Sequence, residues 1–168
     1  MTVQDQLTQQ FALMYSTAAA NLNGMTHDQS IVQPPGGGNC ANWILGHLVN
    51  VHNGLMQLIG TEPVWDSAQL ARAGFDPITG PENAIDWDTL RDRFLGSRDR
   101  CLAAIAALTD GQLAEHVPDP FGDTCPRASL LNVLAYHQAY HTGQLGTVRR
   151  VAGMEGAVRA PNQPPRFD

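Results

Sequence analysis

Leu130–Gly153 reads LLNVLAYHQAYHTGQLGTVRRVAG, and how this stretch folds decides the rest. Leu130, Leu134, Leu145 and Val148 recur at helical spacing and define one apolar face. The helix is expected to start between Thr124 and Ser129 and to run to about Ala152. Gly153 suits its C-terminal stop, and Arg149 and Arg150 suit the negative end of its dipole. His137 and His141 lie one turn apart on the apolar face. Both rings are therefore expected to point inward, where a polar group needs a partner. A metal ion satisfies one nitrogen of each ring and leaves the other for a nearby acceptor. With six histidines in 168 residues, the spacing alone is weak evidence. Gln138 stands where an HExxH metalloprotease motif has its glutamate, so that motif is absent.

Three further segments carry helical periodicity. From about Thr2 to Leu22, the residues Val3, Leu7, Phe11, Met14, Ala18 and Leu22 form a stripe. A second helix is expected from about Cys40 to Ile59, with Asn39 as N-cap and Ile44, Leu48, Val51, Leu55 and Leu58 as core face. The third runs from about Trp87 to Leu108 on Leu90, Phe94, Cys101, Ile105 and Leu108, with Ser97 interrupting its stripe. No strand pattern competes. These segments predict an all-α four-helix bundle, a single domain over 1–168 with an extended tail over 153–168. Two long connections argue against simple up-down-up-down order. The one from Gly60 to Asp86 holds Pro63, Pro77 and Pro81 and a short helix within DSAQLARAG; it reads as a crossover that also serves as a lid.

Composition narrows the function. A hydrophobic fraction of 43% supports a core without staples. The net charge is −6, and ten Lys and Arg form no basic run, which counts against a nucleic-acid partner. No apolar run reaches the roughly 20 residues of a membrane span, and the first residues do not read as a signal peptide. Cys40, Cys101 and Cys125 are odd in number and widely spaced, as in a reducing compartment. A cytoplasmic protein is expected.

A histidine pair needs further ligands to make a site. The second helix offers His47 and His52, and its apolar arc covers both, so the helical wheel does not choose. His27, in a loop, and His116, near Pro118, read as solvent-facing.

NWILGHL on the second helix and AYHQAYHTGQLGTVRRVAG on the fourth resemble the DinB-like proteins, a family of metal-binding four-helix bundles. The order of elements fits over nearly the whole chain, and the fourth-helix motif is its most specific part. The resemblance implies three metal ligands: His47, His137 and His141. It selects His47 over His52. The family often has an acidic residue after the first histidine of the pair, and here Gln138 stands there. At i+1 that side chain points away from the ligands.

Three imidazoles leave coordination positions open, the catalytic pattern for zinc, and they suit Zn and Ni alike. The resemblance implies one divalent ion and an enzyme of the thiol-dependent transferase or hydrolase kind, acting on a small molecule with a low-molecular-weight thiol. A hydrolase needs a proton carrier, for which Glu62, Asp66 and Asp86 qualify by location. The alternative is a non-catalytic metal-binding stress-response or interaction protein. A homodimer is expected in either case.

Overall fold

The computed structural model describes residues 1–73, 77–78 and 80–157. Its elements in chain order are α1 (Val3–Leu22), α2 (His27–Ser30), α3 (Ala41–Leu58), α4 (Ala68–Ala73), α5 (Trp87–Gly96), α6 (Arg98–Ala106), α7 (Asp110–Ala114), β1 (His116–Pro118), β2 (Thr124–Pro126) and α8 (Arg127–Val151). A 3-10 turn spans Pro81–Asn83. The expected tail falls largely on residues 158–168, outside the described residues.

The bundle is all-α in its core. α1 packs on α8 and α6, and α3 packs on α8 and α5. Cross-helix bonds fix the directions. Asn21 near the end of α1 donates to Thr142 O late in α8, so these two run parallel. Gln4 at the start of α1 reaches Leu108 O just beyond α6, and Tyr15 meets Ser97, so α6 runs the other way. His47 meets His137 while Arg127 reaches Leu58 O, so α3 opposes α8. The order is up-down-down-up, which requires one long crossover, from α3 to the parallel α5 and α6.

Local chemistry sets the helix ends. Thr2 caps α1 in a reciprocal box: its hydroxyl accepts from Asp5 N–H at 3.1 Å and its own N–H donates to the Asp5 carboxylate at 2.9 Å. Those bonds hold the Asp5 carboxyl below its ordinary range, the Thr2 backbone N–H first. Thr2→Ala is expected to lower stability by about 1 kcal/mol in a denaturant titration. At the other end, α3 and α8 stop alike. Gly60 and Gly153 take φ of 74° and 78°, and Thr61 and Met154 N–H reach back to Met56 O and Arg149 O. Arg149 also donates to Asn21 O and Asn23 O, tying the ends of α1 and α8 together.

Several expectations need correction. The third helix is two, broken at Ser97, whose buried hydroxyl bonds back to Phe94 O at 2.6 Å and competes with the helical ladder. The N-cap of α3 is Cys40 rather than Asn39, and it makes no side-chain cap bond. A hairpin absent from the sequence reading pairs Val117 with Cys125, too short for a period-two signal. His27 opens the one-turn α2 and is half-buried, whereas His116 is exposed as expected.

Where described, the crossover is not placed as a lid. Asn42 receives Ile85 N–H and donates to Ile85 O at 2.7 Å. Asn53 accepts from Val64 and Trp65 N–H and donates to Trp65 O. These asparagines share one face of α3, about 120° to 140° around the helix from His47. Where described, the crossover walls the far side of the bundle.

Candidate metal centre

His47 projects from the middle of α3, and His137 and His141 from the middle of α8. The antiparallel seam brings all three together: one ring nitrogen from each lies within 4.8 Å of the other two. His47 Nε2 lies 3.1 Å from His137 Nε2. Two imidazole nitrogens bound to one tetrahedral zinc at about 2.1 Å lie about 3.4 Å apart, so this spacing suits a shared ion. Bare lone pairs at that distance repel, and a cation or a proton between them removes the repulsion.

Neighbours hold the rings in place. Gln144, one turn beyond His141, accepts from its Nδ1 at 2.7 Å. That bond puts the proton on Nδ1 and leaves Nε2 with its lone pair, as a ligand requires. Trp43, one turn before His47, stacks on that ring with 13° between planes. Tyr140 meets the His141 ring edge-on. Burial, then the neighbouring His141 and His47, lower the His137 pKa to about 4. Burial lowers that of His141 as well. His137 and His141, kept neutral at pH 7, present nitrogen donors rather than positive charge. The donor set and its spacing fit a divalent metal.

The histidines sit differently from the sequence expectation. The core face of α8 is Leu131, Ala135, Gln138, Thr142 and Leu145, and the two histidines flank it, half-buried. An opening to solvent therefore remains beside them. Gln138 does point away from the ligands, into the core, where it is wholly buried.

His52 stands apart from this centre. It is wholly buried and belongs to a separate chain of hydrogen bonds that the sequence reading missed. Gln138 Nε2 donates to His52 Nδ1 at 2.8 Å, and His52 Nε2 then donates to Tyr15 Oη at 2.5 Å. The Tyr15 hydroxyl donates onward to Ser97 Oγ at 2.8 Å. The legible signal was polar residues on apolar stripes, at His52, Ser97 and Gln138.

No described carboxylate or cysteine joins the three histidines. Glu62, Asp66 and Asp86 are exposed, and Asp86 caps α5 by accepting from Thr89 N–H. Among described residues, the three cysteines are free, and burial pushes the Cys101 thiol up to about 12.

The arrangement, one histidine from α3 and a pair from α8, is accompanied by a family match over most of the chain. The DinB superfamily model covers residues 10–145. The chain belongs to the DinB superfamily. No curated protein matches it. Membership and the three-histidine cluster together fit a metal-binding DinB-like protein. The sequence pattern LGHL places His47 in a region where Gly46 is buried, and HTGQLG places Gly146 where α1 crosses. A side chain at 146 would come within 3.3 Å of the Asn21 amide, so this motif glycine of the DinB-like chain permits the close α1–α8 approach.

Proposed function

We propose that His47, His137 and His141 hold one divalent ion, Zn or Ni, and that the protein is an enzyme acting on a small molecule at that centre. The observation carrying this reading is the convergence of three ring nitrogens at a half-open place with no fourth His, Cys, Asp or Glu joining them among the described residues. A bound divalent ion supplies acidity to a coordinated water or thiol and polarises a carbonyl. The chain's own part is positional. Gln144 fixes the His141 tautomer, Trp43 steadies His47, and the surrounding core excludes water from one side.

Between the two chemistries, thiol transfer is favoured over hydrolysis. Hydrolysis needs a proton carrier beside the centre, and no described carboxylate lies there. A low-molecular-weight thiol brings its own nucleophile. The expected homodimer forms in this reading through α1 and α8, where Leu13, Val133, Tyr136 and Tyr140 are exposed. No helix among the described residues is long and apolar enough to cross a membrane, and a cytoplasmic setting is part of the proposal.

The test is a paired screen of metal-loaded protein, with small thiols plus electrophiles against esters and amides. Thiol consumption that needs the metal is expected in the first panel and no turnover in the second. Turnover of esters or amides alone would transfer the assignment to hydrolysis. Turnover in neither would leave a non-catalytic metal-binding protein.

A further inference from the structure

The seam that carries the histidines continues past them. Below the His47–His137 pair, the next turns of α3 and α8 bring Val51, Leu55 and Leu58 opposite Leu134, Leu130 and Arg127. Here the helices leave a groove of about 550 Å³, walled on one side by Val117–Pro120 of the hairpin. That volume lies within the range of small-molecule sites. Its lining begins one helical turn from the ligands, at Val51 and Leu134, and the stretch from Leu134 to Arg127 spans about 10 Å.

Two features say that the space is used. First, Val51, Leu58 and Leu134 belong to the apolar stripes of their helices, yet they are only half-buried. The stripes are wider than the core requires, and the surplus lines the groove. Second, Gly54 sits inside α3 at the groove. A helix-interior glycine costs about 1 kcal/mol relative to alanine. A Cβ at Gly54 would meet nothing within 4 Å, so no contact among the described residues demands glycine there. What the missing side chain leaves is room.

The charges in the groove are already engaged. Arg127 donates to Leu58 O and Gln112 O and pairs with Glu115 at 2.6 Å. Asp119 accepts from Phe121 and Asp123 N–H. The remaining surface is mainly aliphatic and suits an uncharged occupant.

We propose that this groove receives the uncharged alkyl or aryl-alkyl tail of an elongated substrate whose polar head lies at the three histidines. The inference rests on the metal-centre reading for the head, and on the groove alone for the tail.

A series of straight-chain alkyl hydroxamates tests it, titrated into zinc-loaded protein by calorimetry. Affinity is expected to rise about threefold to fourfold per added methylene and to level off once the tail reaches the hairpin wall. Gly54→Phe, which fills the groove from an exposed position, is expected to keep its metal and lose the chain-length dependence; Gly54→Ala falls between. In metal-free protein, straight-chain alcohols are expected to displace a neutral alkyl-dansyl probe from the wild type, with no probe bound by Gly54→Phe. Equal chain-length slopes in wild type and Gly54→Phe, or no slope in either, overturn the proposal. Failure of the metal reading shows differently: hydroxamates do not bind, while alcohols still displace the probe.

Discussion

Stability is expected to fall by roughly 3 kcal/mol as the pH drops from about 6.5 to about 4, because His52 folds as a neutral ring. Burial lowers its pKa from 6.5 to about 4. In the unfolded chain the ring takes up its proton near 6.5; in the folded chain it does so only near 4. Between those values the unfolded state binds more protons, so acid favours it. Above 6.5 both states are neutral and this contribution is fully present. His137 and His141 are also lowered and act in the same sense in metal-free protein, but they are half-exposed and contribute less. Denaturant titrations at several pH values measure the slope. His52→Gln removes the titrating ring and is expected to flatten most of it; an unchanged slope would place the acid sensitivity elsewhere.

The chain of bonds explains why a neutral His52 is tolerated at the centre of the bundle. Gln138, His52, Tyr15 and Ser97 each donate to the next, and Ser97 ends on Phe94 O at 2.6 Å. One chain thus links α8, α3, α1 and the α5–α6 break. Burial also raises the Tyr15 pKa, which keeps its proton in place as a donor. Among the linked residues Gln138, His52, Tyr15 and Ser97, only the Gln138 carbonyl oxygen is buried without a partner among the described residues.

The second large effect concerns the metal centre. His137→Ala is expected to weaken zinc binding on the order of a hundredfold or more, since it removes one of three nitrogens. Its effect on metal-free protein is expected to be small, because the ring is half-buried and its Nδ1 is buried without a hydrogen-bond partner among the described residues. Gln144→Ala leaves all three ligands but frees the His141 tautomer, and a loss of about 10- to 100-fold is expected. Competition with a chromophoric chelator reads both. Equal affinity in wild type and His137→Ala would separate the metal from this cluster.

The bundle was legible because Leu7, Phe11, Met14, Ala18 and Leu22 keep helical spacing over about four turns of α1, and their counterparts on the other helices keep it too. The break at Ser97 was only half legible. Its polar side chain marked the place, but the bond to Phe94 O that bends the helix depends on geometry. The hairpin at 116–126 was not legible, because three-residue strands carry too few positions to show alternation. At the site, the His137–His141 spacing was visible, yet the wheel allowed His47 and His52 equally. What separates them is the rotation of α3: Asn42 and Asn53 grip the crossover, His52 turns to Tyr15, and His47 is left facing α8. The half-open state of the histidines was hidden for a similar reason. Periodicity identifies an apolar face, but the width of that face exceeds what neighbouring helices cover, and the excess becomes groove.

One metal ion held by the three histidines is what the proposed function requires. Metal analysis of protein purified without an affinity tag tests it most directly, beside His141→Ala prepared in the same way. About one divalent ion per chain in the wild type, lost in His141→Ala, is the expected result. A wild type that takes up no ion from added Zn or Ni, with a thermal midpoint unmoved by either, would contradict it.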